Sequence, residues 1–180
     1  MDVTNITLSN ERIMLRELVE SDWIDVHKYA SQEIVSQYQA WGPNSTEQSI
    51  AYVDQAIKDA KEQPRLRFVF AVIHNNRLVG ASELNIRDVT NKVGEVSYII
   101  HPAYWGKGFA TEVATLLVDF GFTKLQLHRI YATCDPRNTG SIQVLKKTGM
   151  TLEGRIREHM LIKDGWRDSF LYSILEHEWD

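Results

Sequence analysis

The sequence predicts an α+β fold, a mixed α/β sandwich in which helices pack on one sheet. Three observations predict it. Two helical stripes fill the first third of the chain, and three β-rich segments follow with no helix between them. The remainder reads helix-β-helix-β-β. That order is not the strict alternation of a doubly wound parallel sheet.

Residues 12–18 read as the first strand. Ser21-Asp22 then supplies a cap, and Trp23, Val26, His27 and Ala30 recur at helical spacing. Residues 37–44 read as a loop. Ser45 and Gln48 make the pattern of a capping box, in which each side chain bonds the other's backbone N–H. The helix it opens carries Ile50, Val53, Ile57 and Ala60 on one face, and Pro64 closes this half. Residues 68–74 and 78–86 are β-rich and joined by Asn75-Asn76, which tolerate the positive φ of a tight hairpin. Residues 93–101 form a third such segment, ended by Pro102. A long helix over residues 109–124 carries Val113, Leu116, Leu117 and Phe120 as an apolar stripe. Residues 128–135 are a strand, and 141–148 a short helix stopped by Gly149. Two last strands, 151–162 and 166–176, meet at the turn Lys163-Asp164-Gly165.

With 180 residues, 43% hydrophobic and 24% charged, the chain suits one domain (1–180) with a full core. A net charge of -4 weighs against non-specific nucleic-acid binding, since phosphates would repel it, and fits a cationic partner. The single cysteine, Cys134, excludes an intrachain disulfide, and the six histidines show no metal-ligand spacing, so no metal is expected. No signal-peptide pattern opens the chain and no apolar stretch is long enough to cross a membrane. A cytoplasmic protein with no membrane partner is the expectation.

The most informative segment runs from Val96 to Glu112. A strand feeds a turn holding Gly106 and Gly108, and the turn opens the long helix. Backbone N–H groups at a helix start lack intrahelical partners and have the positive end of the dipole behind them. Small residues at Gly106, Gly108 and Ala110 let a bulky anion reach that backbone, and Lys107 adds a positive charge. The arrangement suits a pyrophosphate, although a Gly-x-Gly on its own is more often a plain tight turn. Neither the ending of a Walker loop nor the third glycine of the dinucleotide fingerprint is present.

The run Tyr104-Trp105-Gly106-Lys107-Gly108-Phe109-Ala110-Thr111-Glu112 resembles the coenzyme A motif of GNAT acetyltransferases, in the form typical of the RimJ/RimL branch. That branch includes enzymes acetylating the N-termini of ribosomal proteins. Gly108 and Ala110 fit the general pattern Q/R-x-x-G-x-G/A, with Trp105 at the Gln/Arg position. Asp135 to Ser141, then Gly149-Met150 and Glu153-Gly154, resemble the family's N-x-x-S helix, Gly-aromatic and E-G, with Met150 replacing the aromatic. Asp164-Gly165-Trp166-Arg167-Asp168 and Glu178-Trp179 match as well. The likeness covers nearly the whole chain and is strongest over residues 93–180.

The resemblance implies a GNAT fold, with a central, mixed, mostly antiparallel sheet of about seven strands flanked by helices. It implies acetyl-CoA as co-substrate, and direct transfer in a ternary complex to a primary amine, either a peptide N-terminus or a small molecule. It also suggests a homodimer. Ile99 and Ile100 would lie on a splayed strand beside the pantetheine arm. Trp105, Gly106, Lys107, Gly108, Phe109, Ala110 and Thr111 would surround the pyrophosphate. Asn138 would bond pantetheine from the opposite wall, and Ser141 would sit near the thioester sulfur.

The chemistry needs a neutral amine, a lone pair aligned with the thioester carbonyl, and a stabilised thiolate. Glu83 and Glu95 are the candidate bases, since each interrupts an apolar β segment where a carboxylate is costly unless used, paired or turned to solvent. The family's usual strand Glu is missing from Tyr131-Ala132-Thr133-Cys134, and Leu145 stands where its Tyr acid would be. Ser141 is the remaining hydroxyl for the thiolate, or else a helix cap. Cys134, in a strand without an evident base, reads as core. Trp41, in the loop between the first helices, and Glu83 are the candidates for touching the acceptor. A non-catalytic acyl-CoA sensor is the alternative from another class. A nucleotide-binding protein is a third reading, weakened by the lack of a catalytic lysine and magnesium ligands.

Overall fold

The computed structural model describes residues 6–179. Its strands are β1 (Thr7–Ser9), β2 (Met14–Glu17), β3 (Arg67–His74), β4 (Arg77–Asp88), β5 (Val93–Ile100), β6 (Arg129–Cys134), β7 (Thr151–Ile162) and β8 (Gly165–Leu175). They make one eight-stranded sheet in the order β1-β2-β3-β4-β5-β6-β8-β7. Only β5 and β6 pair in parallel. The helices are α1 (Trp23–Ala30), α2 (Glu33–Ser36), α3 (Thr46–Asp59), α4 (Phe109–Thr123) and α5 (Thr139–Lys147).

The apolar run in β3 shows why the sheet is covered on both sides. Successive strand side chains point to opposite faces. Phe68, Phe70 and Val72 therefore join the core beneath α4, with Val113, Leu117 and Phe120. Val69, Ala71 and Ile73 join a second core, with Val26 and Tyr29 of α1 and Val53 and Ala56 of α3. Among the described residues no helix is long and apolar enough to cross a membrane.

Local signals explain most element boundaries. Asn75 and Asn76 take φ of 48° and 58° in the β3–β4 turn. The capping box forms, with Ser45 Oγ accepting from Gln48 N–H at 3.2 Å and Gln48 Oε1 accepting from Ser45 N–H at 2.8 Å. Three features differ from the sequence reading. β1, which pairs with β2, adds an eighth strand from a segment too short for its periodicity to register. α2 lies where no helix is expected. Asp22 also makes no side-chain cap bond to α1. Its carboxylate accepts from Val19 N–H at 2.8 Å and pairs with Arg16 at 2.7 Å, closing a 3₁₀ turn before the helix.

The feature that matters for the site is in the middle of the sheet. β5 and β6 pair only at Val93↔Arg129, Gly94↔Ile130 and Glu95↔Tyr131. β5 keeps its ladder to β4 as far as Ile100, and β6 keeps its ladder to β8 as far as Cys134. The facing edges therefore part into a V. Half of a strand's backbone groups face each neighbour, so those of residues 96–100 that face β6 have no β6 partner.

One wall of the V depends on Gly80, paired with Ile100, where an added Cβ would lie 2.2 Å from Ile99 O. Gly80→Ala should push β4 and β5 apart and cost about 1–3 kcal/mol. Chemical denaturation reads this as a lower midpoint; an unchanged midpoint would contradict so close an approach.

Candidate active site

A cavity of about 940 Å³ occupies the V, reaching from the glycine turn to the loop at residues 37–44. At the turn, Gly106 and Gly108 take φ of +73° and +85°, a left-handed conformation that favours glycine. A Cβ on Gly106 would meet nothing within 4 Å, and one on Gly108 only Arg12 Nη2 at 4.0 Å. The backbone is therefore open to an approaching group. Thr111 N–H bonds Gly108 O at 3.1 Å. The N–H groups of residues 106–110 show no partner among the described residues. Open space above a row of unpaired donors at a helix start fits a phosphate group.

The side chains around the turn hold it in shape. The Trp105 indole N–H donates to Ile100 O at 2.6 Å, tying the end of β5 to the turn. Phe109, the first residue of α4, is buried, and with Ala110 and Thr111 it lines the cavity. Lys107 is not part of the lining. Its ammonium donates to Ala103 O at 3.0 Å and sits 5.1 Å over the Tyr104 ring. The cation that braces the turn is Arg12, which donates to Lys107 O at 2.7 Å, pairs with Glu112 at 2.9 Å and stacks on Phe109. Nothing in the local sequence links residues so far apart.

Deeper in the V, Ile99 and Ile100 line one wall and Asn138 and Ser141 the other. Asn138 caps α5, its Oδ1 accepting from Ser141 N–H at 3.0 Å. Ser141 Oγ is not needed for that cap and lies 3.2 Å from Tyr98 OH. Tyr98, on β5 past the point where the V opens, is absent from the sequence reading. Its signal was an aromatic hydroxyl in an otherwise aliphatic strand end. Burial pushes its phenol well up, outweighing the opposing Ser141 hydrogen bond, so it stays protonated. Burial likewise pushes the Cys134 thiol up to about 11, against the lowering influence of Arg167 and Ser141. Leu145 is buried in the core.

The half of the cavity under α1 and α3 is aromatic, with Tyr29, Tyr38, Trp41 and Tyr52 in its lining. Glu83 lines it too. Its Oε1 accepts from Tyr52 OH at 3.1 Å and Arg67 Nη2 at 2.8 Å, and its Oε2 from Arg67 Nε at 3.0 Å and Asn85 Nδ2 at 3.5 Å. A carboxylate has about four lone-pair positions, and each of these has a donor. Arg67 also bonds Asp59 at 2.8 Å. Burial, reinforced by Glu83, pushes the Tyr52 phenol well above its usual range. Glu95 is not among the lining residues and is held by Arg87 at 2.7 Å. Among the described residues no group of three or more His, Cys, Asp or Glu is arranged to hold a metal ion.

An anion cradle at the mouth, unpaired strand edges along the walls and two hydroxyls at the base suit a long acyl thioester with a phosphate tail. Comparison with known proteins agrees. Residues 12–151 match the family model of the acetyltransferase (GNAT) domain. The uncharacterised N-acetyltransferase YnaD of Bacillus subtilis is 31% identical over 173 residues, covering 96% of this chain and 99% of its own. The spermidine N(1)-acetyltransferase of Escherichia coli is 30% identical over 171 residues, covering 95% of this chain and 90% of its own. A GNAT-family acetyltransferase structure from Bacillus anthracis superposes with a TM-score of 0.84 at 31% identity, covering 96% and 99% of the two chains. The chain belongs to the GNAT acetyltransferase family and is an acetyl-CoA-dependent N-acetyltransferase.

Proposed function

We propose that the chain, working as one cytoplasmic domain of the RimJ/RimL type, passes acetyl from acetyl-CoA directly to a primary amine in a ternary complex. One observation carries this reading: the V between β5 and β6 has the Ser141–Tyr98 hydroxyl pair at its base and an aromatic pocket beside it.

The unpaired groups of residues 96–100 bond the pantetheine arm as a missing strand would. The N–H groups of residues 106–110 take the pyrophosphate, and Asn138 offers its Nδ2 from the other wall. The acceptor nitrogen attacks the thioester carbon as the carbon–sulfur bond breaks. Ser141 Oγ gives its proton to the departing sulfur as Tyr98 passes its own to Ser141 through their hydrogen bond; the newly acylated nitrogen sheds its proton to solvent, and solvent returns one to Tyr98. A backbone N–H of β5 facing the gap steadies the charge on the carbonyl oxygen. Burial pushes the Cys134 thiol up to about 11, which disfavours the thiolate that an acyl-enzyme route would need and supports direct transfer.

Among the described residues no histidine lines the cavity, and the two carboxylates that do, Glu83 and Asp135, are both bonded to arginines. We therefore assign the base to neither Glu83 nor Glu95. Glu83 fixes Tyr52 and Arg67 in the acceptor wall, and Glu95 braces Arg87. The neutral amine comes from the acceptor's own equilibrium in water.

Gly108→Trp should fill the cradle and abolish acetyl-CoA binding by calorimetry while the far-UV spectrum stays native. Normal binding would refute the cradle. Ser141→Ala and Tyr98→Phe should each lower kcat by about 10²-fold and leave the acetyl-CoA Kd unchanged; unaffected turnover in both reduces the pair to packing. With an α-amine acceptor of pKa near 8, kcat/KM should rise about tenfold per pH unit below that value and then level. Tyr98, whose ordinary value is 10.0, is shifted upward, so its protonated form persists and no falling limb should appear before pH 10. A bell centred near neutrality would mean that an enzymic base is at work. Thiol release with an amine tests the whole reading, whereas binding without release on any amine would favour the sensor.

A further inference from the structure

The cavity reverses the charge of the chain. The chain carries a net -4, yet the cavity lining holds Arg67, Arg137, Lys147 and Arg167 against Glu83 and Asp135. Arg67 already holds Glu83. Arg137 holds the buried Asp135 through bonds of 3.0 and 2.7 Å.

Arg167 is left over. It projects from β8 under the loop at residues 37–44 and is only 9% exposed. Its Nη1 donates to Tyr38 O at 3.1 Å and lies 3.9 Å from Asp135 Oδ2, too far for a hydrogen bond. Its Nη2 donates to Met160 Sδ at 2.8 Å, and its Nε has no hydrogen-bond partner among the described residues. A guanidinium offers five N–H donors. Here one meets a carbonyl and another a thioether, which is a weak acceptor, and the nearest carboxylate is shared with Arg137. A buried charge is costly unless it is paired and hydrogen-bonded, and this one is underpaired. Burial disfavours its charged form, yet an arginine gives up its proton too reluctantly to escape that way. An incoming anion is the remaining remedy.

We infer that Arg167 forms an anion subsite in the acceptor half of the cavity, and that the acceptor is an amine that also bears a carboxylate. The inference rests on the amine-acetylation reading above. A carboxylate matches the open Nη donors of a guanidinium in shape and charge. A polyamine would instead bring several ammonium groups to a wall whose two carboxylates are already taken. The spermidine-acetylating relative is therefore a guide to the reaction but not to the acceptor.

The test is thiol release from acetyl-CoA with matched acceptors: amino acids and dipeptides, the same compounds as carboxamides, and spermidine. Corrected for the neutral-amine fraction, kcat/KM for each acid should exceed that of its amide by roughly 10- to 100-fold, mostly through KM. Spermidine should trail both. Arg167→Met should bring the acid-to-amide ratio towards one, and Arg167→Lys should keep part of it. A ratio of one in the parent enzyme, or spermidine as the best acceptor, overturns the subsite. So does an Arg167→Met protein that slows acids and amides equally, since Arg167 would then serve only to tether the loop through Tyr38. An enzyme that binds acetyl-CoA yet releases no thiol with any amine overturns the transferase reading, and the subsite with it.

Discussion

The site depends on a ladder that stops. β5 and β6 share three parallel pairs, the last at Glu95↔Tyr131, and each then bonds only its outer neighbour. Backbone groups without partners are costly once water is excluded, so the sheet is left incomplete along one line. An extended molecule carrying amides can supply the missing rungs. The glycine turn lies at the mouth of that line because β5 runs through Pro102–Tyr104 into α4, and the unpaired N–H groups at the start of α4 face the same space. Strand geometry and helix geometry thus expose unmet donors in one place.

Holding such a gap open requires rigid walls, and two separate cores provide them. The core under α4 fixes β5 through Val96 and Ile100, while that under α1 and α3 fixes β4 through Ala81. Long-range ties then set the rim. Arg12 fastens the turn to the start of the sheet, Trp105 fastens it to Ile100, and Arg167 fastens the loop at residues 37–44 to β8. The same fastening leaves Arg167 short of partners. A tether made of a buried charge also makes the pocket selective, because the charge it brings is only partly neutralised by the protein.

What the sequence made legible was whatever is encoded locally. Periods of two and about 3.6 residues located most strands and helices, and Asn75-Asn76, Lys163-Asp164-Gly165 and the Ser45–Gln48 box marked their ends. The glycine turn was legible because its conformational demand falls on adjacent residues. Pairings between distant residues were not. Asp22 reads as a cap until Arg16 is seen beside it, and Glu83 reads as a base until Arg67 and Tyr52 fill its lone pairs. Tyr98 and Ser141 lie far apart in the chain and meet only because the V brings β5 against the start of α5. Arg167 stood only as one member of the Asp164–Asp168 run that resembles the family, since burial cannot be read from a residue type that is usually exposed.

Amide hydrogen exchange with and without acetyl-CoA tests most directly whether the coenzyme completes the interrupted sheet. Slowed exchange should concentrate at residues 96–100, where the V opens, and at residues 106–110 of the glycine turn. Protection elsewhere with none at the V would contradict it: the gap between β5 and β6 would then be a packing feature and the coenzyme site would lie on another face.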